Sequence, residues 1–292
     1  MCRISTEPER SFPTGGCVQD GCLVLIPALN EEATIGSVIA DLRSHGFRHI
    51  RVVDNGSSDQ TVCRARLAGA EVLSEPRRGY GRACWTGLHH PPSDAEWILF
   101  CDADGSSDLR DLERMVSAAS HADLVLGDRR TNSANRPAMT AAQRFGNALA
   151  TTLIRLGWGH RYADLGPLRM IRIEALDRIA MRDRGFGWTV EMQVRAVELG
   201  LRVREVPVRY RNRRGGKSKI SGTVSGTIRA GVVIVATISR LFIRCLARRL
   251  PDLPSPAARQ KSQPAIAASR RYSGARLSCL ASTRQRLIVS RN

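Results

Sequence analysis

Two aspartates one residue apart close the stretch Trp97-Ile98-Leu99-Phe100-Cys101-Asp102-Ala103-Asp104-Gly105. The run before them is apolar and strand-forming, which reads as a buried parallel strand. Asp102 and Asp104 then stand at its carboxyl end, where open α/β sheets bind ligands. Carboxylates at this spacing can offer hard oxygen donors to one divalent cation and leave coordination positions for phosphate. The chemistry this suggests is a metal site for a nucleotide diphosphate. A calcium loop shares Asp102, Asp104, Asp108 and Glu113 at its first, third, seventh and twelfth positions, but Ser107 stands where that loop requires glycine. A metal-free surface turn is the plain alternative, since Asp-x-Asp-Gly is good turn chemistry. No phosphate-loop motif occurs, and Gly79-Tyr80-Gly81 lacks the third glycine of a dinucleotide fingerprint.

Other residues could serve the same chemistry. Asp54 and Asp128 also end expected strands, and Asp54 could accept hydrogen bonds from a base or ribose. The basic loop Arg211–Lys219 holds two of the three lysines in a chain with 42 arginines. Arg213 and Lys219 could clamp phosphates there, Arg with fork geometry and Lys as a point charge. A loop that closes over the donor would keep water from it. Glu191, in Trp188-Thr189-Val190-Glu191-Met192-Gln193, and Asp164 are candidate bases for a hydroxyl acceptor. A phosphate acceptor is already anionic and needs none.

The elements that must position these residues alternate. Strands are expected at Leu23–Ile26, Phe47–Val53, Glu71–Ser74, Glu96–Cys101 and Ala122–Leu126. Helices are expected at Ala33–His45, up to Leu67, up to about His89, and at Leu109–Ser120. Asn30 is the expected N-cap of the first helix, with Glu31 and Glu32 in its first turn. This alternation predicts an α/β fold with a mostly parallel central sheet flanked by helices. The second half is less regular. It offers helices at Ala141–Leu156 and Trp188–Leu199, a turn at Asp164–Pro167 before an apolar segment, and a strand at Val203–Tyr210.

A long helix is expected at Thr223–Leu246, with Val224, Ile228, Val232, Val235, Phe242 and Leu246 on one face. Its uncharged centre, Ala230–Ser239, is too short to span a bilayer. It suits a membrane surface, or packing on the domain or on a second subunit, so a homo-oligomer is compatible. The expected organisation is a disordered leader (1–21), a catalytic domain (22–220), an amphipathic helix (221–249) and a disordered basic tail (250–292). The net charge is +18, and residues 244–292 carry eleven Lys and Arg against one acidic residue. Such a tail suits an anionic membrane or nucleic acid. Eight cysteines lack metal or redox spacing, Cys63 and Cys101 read as core residues, and the N-terminus lacks a secretory apolar region. The expectation is a cytoplasmic protein, peripheral on the inner membrane face.

With these residues assembled, the chain resembles glycosyltransferase family 2 with the A-type nucleotide-sugar fold, in the dolichol-phosphate (polyprenyl-phosphate) mannosyltransferase-like branch. The resemblance runs from about Leu23 to Gly222. Pro27-Ala28-Leu29-Asn30-Glu31-Glu32 is similar to the opening P-x-x-N-E-E, and Val52–Thr61 to V-D-D-G-S-x-D-x-T. Gly79–Ala83 is similar to G-x-G-x-A, Asp102-Ala103-Asp104 to the metal motif, and Arg213–Lys219 to R-x-x-G-x-S-K. The resemblance implies that Pro27, Leu29 and Glu31 line the nucleotide and that Val52 and Asp54 meet the base. It implies that Asp102, Ala103 and Asp104 hold diphosphate and metal (Mg²⁺ or Mn²⁺), and that Arg129, Arg213 and Lys219 contact phosphates. Two residues depart from the pattern. Ser106 stands where mannosyltransferases of the family often carry Gln, leaving Ser106, Asp108 and water to complete the coordination. Asn55 replaces the second aspartate of the usual pair.

The expected reaction is an inverting transfer of a hexose from a GDP- or UDP-linked sugar to a polyprenyl-phosphate-type acceptor. The rivals are a soluble or cell-envelope hydroxyl acceptor with Glu191 as base, and a non-catalytic basic protein binding nucleic acid or acidic lipid. No nucleic-acid partner is expected for the enzyme. A sugar nucleotidyltransferase is disfavoured because its glycine-rich opening is missing after the first strand.

Overall fold

A computed structural model describes residues 17–213 and 224–249. Seven strands form one sheet: β1 (Cys22–Ala28), β2 (His49–Asp54), β3 (Glu71–Ser74), β4 (Trp97–Phe100), β5 (Leu124–Asp128), β6 (Arg169–Arg172) and β7 (Val203–Pro207). Their spatial order is β3-β2-β1-β4-β6-β5-β7. Strands β1 to β4 pair in parallel, as do β5 and β7. Strand β6 runs antiparallel to both its neighbours, β4 and β5. The helices are α1 (Ile35–Ser44), α2 (Thr61–Leu67), α3 (Tyr80–Gly87), α4 (Leu112–Ala119), α5 (Ala141–Trp158), α6 (Ile173–Ile179), α7 (Trp188–Glu198) and α8 (Val224–Arg249).

The strands read as continuous apolar runs because both faces of the sheet are covered. Their side chains still alternate. Cys22, Val24 and Ile26 of β1 pack with Trp97 and Leu99 of β4 on the face lined by α1 and α4. Leu23, Leu25, Ile98 and Phe100 pack on the other, with residues of α3, α5, α6, α7 and α8. At Gly87 an added Cβ would lie 2.5 Å from Leu25 Cδ1, so only glycine lets α3 settle this close to β1.

Several expectations need correction. The apolar segment after Pro167 is the antiparallel strand β6, followed directly by α6. A short strand turning at once into a helix has no clean periodicity of its own. Residues 17–21 of the expected leader form a turn, where Gly21 O accepts from Glu96 N at 2.8 Å and Asp20 pairs with Arg48 at 2.8 Å. Residues 1–16, the 250–292 tail and most of the Arg211–Lys219 loop, Lys219 included, lie outside the described residues. Cys63 is exposed, on the outer side of α2. Asn30 is not a helix cap. It takes a left-handed conformation at φ 52°, and Thr34 stands before α1.

Candidate active site

Strands β1 and β4 are neighbours where the strand order reverses: the chain leaves β1 towards β2 on one side and leaves β4 towards β5 on the other. A crevice opens at such a point, beyond the carboxyl ends of the strands. Leu29 to Glu31 follow the Pro27–Ala28 end of β1 at one side of it, and Asp102 to Asp108 follow β4 at the other.

The β1 side is welded to the loop after β2. Asn30 Oδ1 accepts from Ser58 N at 2.8 Å, and Asn30 N donates to Ser57 Oγ at 2.9 Å. Glu31 N donates to Thr61 Oγ1 at 2.8 Å, and Glu32 Oε2 accepts from Gln60 N at 3.0 Å. Asp54 is buried and accepts from Ser57 N at 3.1 Å. Asn55 explains its departure from the family pattern. Its amide donates to Glu75 O at 2.9 Å and Arg77 O at 3.0 Å, and accepts from Gly79 N at 2.8 Å. A carboxylate could not make the two donations. Pro27 and Leu29 are half-buried. Val52 is wholly buried in the core, which leaves it no atom to offer a base. Its alternation along β2 turns it inward.

On the β4 side, Ala103 packs into the core and sets Asp102 and Asp104 apart from it. Asp104 is buried, accepts from Ser106 N at 2.9 Å, and meets Arg213 Nε at 3.0 Å through its other oxygen. Arg213 also donates to Glu31 Oε1 at 3.1 Å, so one guanidinium ties the two walls of the crevice. Arg213 is delivered by a backbone pairing: Arg211 N donates to Ser106 O at 2.8 Å and Asp108 N to Arg209 O at 3.1 Å.

Asp102 is half-buried, and no described residue donates to its carboxylate. Burial and the charge of Asp104 raise its pKa to about 7, against the pull of Arg129, Arg213 and Arg169. A carboxyl whose ionisation is opposed by burial and by a neighbouring carboxylate gains from a divalent cation beside it. Ser106 Oγ is buried without a hydrogen-bond partner, a spare oxygen two residues from Asp104. Among the described residues no cluster of three or more His, Cys, Asp or Glu could hold a metal. The two carboxylates fit an ion such as Mg²⁺, which one or two carboxylates bind while substrate phosphates complete the shell.

The other acidic candidates are engaged. Asp108 is ringed by Arg110, Arg209 and Arg211; hydrogen bonds from Arg110 hold its carboxyl well below the usual range. It fastens the 209–211 segment. Asp128 caps its own turn, accepting from Arg130 N at 2.8 Å and from the Thr131 hydroxyl. Asp164 is buried in a two-pronged pair with Arg129, at 2.7 and 3.0 Å. Burial opposes ionisation of both partners, but their pairing outweighs it, lowering the Asp164 pKa and raising that of Arg129. Arg129 thus reaches towards Asp102 as a held cation, stacked 5.1 Å from the Tyr210 ring. Glu191 is buried, and its Oε2 accepts from Arg182 N at 2.9 Å and Asp183 N at 2.6 Å. It lines a small cavity with Leu241 and Arg244 of α8, and none of its bonds goes to the Asp102–Asp104 set.

One residue was not singled out in the sequence. Arg169, opening β6 opposite Phe100, is completely buried and donates to Thr189 O at 3.1 Å and to Gly166 O, while its Nε has no partner. Its charge acts on Asp102 from within the fold. An arginine inside Leu168-Arg169-Met170-Ile171 was the available signal.

The family model for glycosyl transferase family 2 matches residues 23–180. An uncharacterized glycosyltransferase of Mycobacterium tuberculosis is 38% identical over 210 residues, covering 72% of this chain and 94% of the relative. A dolichyl-phosphate hexose transferase of Haloferax volcanii is 30% identical over 236 residues, covering 79% and 96%. Among solved structures, glucosyl-3-phosphoglycerate synthase from Mycobacterium tuberculosis in complex with Mn²⁺ and uridine-diphosphate-glucose superposes with a TM-score of 0.59. It covers 80% of each chain at 24% identity, a likeness of fold. With a crevice of this geometry inside the matched span, the chain belongs to glycosyltransferase family 2.

Proposed function

We propose that the protein is an inverting hexosyltransferase that moves a sugar from a GDP- or UDP-linked donor to a polyprenyl-phosphate-type acceptor, working at the inner membrane face. The observation that carries this is the Asp102–Asp104 pair faced by Arg213 across the β1/β4 crevice. Asp102 and Asp104 are the groups that would hold Mg²⁺ or Mn²⁺, and such an ion, when bound, neutralises charge on the departing diphosphate. Arg213 would turn from the two carboxylates to the donor's phosphates, and Lys219 would serve the same phosphates as a point charge. Arg129, kept cationic by Asp164, adds a fixed positive field. Pro27, Leu29, Glu31 and Asp54 would border the nucleoside. An acceptor phosphate oxygen attacks the anomeric carbon as the bond to the diphosphate breaks, which inverts the configuration.

The engagement of Asp164 and Glu191 supports a phosphate acceptor over a hydroxyl one. Both candidate bases are spent on structure, and only a hydroxyl would need one. The likeness to a dolichyl-phosphate hexose transferase points the same way.

The test is incorporation of radiolabelled sugar, with Mn²⁺ or Mg²⁺, into a lipid-extractable product. Asp104→Asn and Lys219→Ala should each lower turnover by about a hundredfold, as loss of one preorganised charge does. A panel of nucleoside diphosphates should raise the melting temperature only when the metal is present. Label appearing solely in a soluble acceptor would defeat the lipid-phosphate reading. Unchanged activity in both variants would defeat the assignment of the site.

A further inference from the structure

We propose that the outward faces of α5 and α8 form one basic, apolar surface by which the protein docks on an anionic lipid bilayer. The two helices lie side by side. The Trp158 and Phe242 rings meet edge to face with centroids 5.7 Å apart, and a Cβ at Gly157 would lie 3.2 Å from Phe242 Cδ2. Their inner faces are ordinary core, with Ala150 and Ile154 on α5 and Ile238 and Leu241 on α8.

Their outer faces are not ordinary surface. On α5, Phe145, Leu149 and Leu156 recur on one exposed stripe, with Phe145 71% and Leu156 77% exposed. On α8, Val232, Ile243 and Leu246 do the same, with Val232 62% and Ile243 64% exposed. Seven of the eight exposed large hydrophobic side chains among the described residues lie on these two helices. Concentration of this kind marks an interaction face.

Charge identifies the occupant. Neither Ala141–Trp158 nor Val224–Arg249 contains a single Asp or Glu. Arg155 and Arg240 stand exposed beside the apolar stripes, and no acidic side chain among the described residues pairs with them. A second copy would set these arginines against their own counterparts with no acid to pair, and like charges across an interface are costly. The sequence after residue 249 brings no counter-charge either, with eight Lys and Arg against one acidic residue. An anionic bilayer accepts both parts, apolar side chains at the acyl boundary and guanidinium groups among the headgroups. None of the described helices is long and apolar enough to cross a membrane, which suits a surface contact.

The docking face is joined to the crevice. Helix α8 begins eleven residues after Arg213. Asn147, on the inner side of α5, accepts from Leu165 N at 2.8 Å, next to the Asp164 that holds Arg129. The purpose of docking rests on the lipid-phosphate reading of the site; the surface itself does not.

The experiment is co-sedimentation of the full chain with vesicles of phosphatidylcholine alone or mixed with phosphatidylglycerol. The double variant Leu156→Glu/Ile243→Glu is compared with the unaltered chain, and a thermal melt verifies its fold. Binding should require phosphatidylglycerol and fall at least tenfold in the double variant, which should still turn over polyprenyl phosphate dispersed in detergent. Failure to bind phosphatidylglycerol vesicles overturns the proposal. So does equal binding by both chains, which would assign the contact to the basic residues after 249. A dimer in solution that the double variant converts to monomer overturns it in favour of a second copy. If vesicle binding behaves as expected while neither chain glycosylates detergent-dispersed polyprenyl phosphate, the acceptor assignment fails and the docking surface stands.

Discussion

Asp102 sits in a contest between burial and its neighbours. Desolvation and Asp104 push its pKa up to about 7, and three arginines only partly restrain it. The consequence for stability has a definite sign. A carboxyl that holds its proton more tightly when folded stabilises the fold fully below its ordinary pKa of about 4, and that contribution is lost as pH rises through its folded value. In metal-free protein the melting temperature should therefore fall between about pH 4 and 7 by on the order of 5 °C more than in Asp102→Asn. Saturating Mn²⁺ should remove the difference above pH 7, because a cation favours the ionised pair. Melting curves over pH, with and without Mn²⁺, check both; parallel curves for the two proteins would show that Asp102 is not perturbed. Asn55 is decided at the same scale. Its departure from the family pattern was legible in the sequence. Its reason was not, because the two carbonyls that need an amide donor belong to residues 75 and 77.

Helix α7 and the loop before it show how an element reassigns a residue. Glu191, in the Trp188–Gln193 stretch, is a candidate base for a hydroxyl acceptor on its sequence. Its carboxylate instead gathers the amides of Arg182 and Asp183 and so fixes the 182–187 segment. That segment is what the Gly79-Tyr80-Gly81 turn leans on. Gly81 N donates to Gly185 O at 3.2 Å, and a Cβ on Gly81 would lie 2.6 Å from the Arg184 carbonyl carbon. The glycines permit close backbone approach between two loops. Glu191→Gln should keep an acceptor oxygen but lose its charge, lowering stability by about 1 kcal/mol with turnover within roughly threefold of the unaltered enzyme. Chemical denaturation and steady-state kinetics separate the cases. A loss of about a hundredfold in kcat without a stability change would restore Glu191 as a base.

Across the whole molecule, the antiparallel strand β6 bridges a four-stranded parallel half to the β5–β7 pair, and it carries the buried Arg169 under the crevice. Strands β1 and β4 lie inside the sheet with both faces packed, whereas β3 and β7 are its edges. Amide hydrogen exchange should accordingly be slowest in Leu23–Ile26 and Ile98–Phe100 and faster in β3 and β7, as local opening follows burial. Equal protection in edge and centre would contradict this packing. The parallel half was legible because each strand and helix there announces itself by local periodicity and by acidic or glycine-rich strand ends. The sequence by itself thus determined the α/β class, the family and the Asp102–Asp104 pair. Only the tertiary structure decided which carboxylates remain available. Asp108 and Asp164 are acidic loop residues like Asp102, but Arg211 stands 103 residues from the first and Arg129 35 from the second. It also decided which side of α8 turns outward. An apolar stripe states that it must be covered and carries no label for what covers it; that is settled by the neighbours α5 and α7, which take Ile238 and Leu241 and leave Val232, Ile243 and Leu246 exposed.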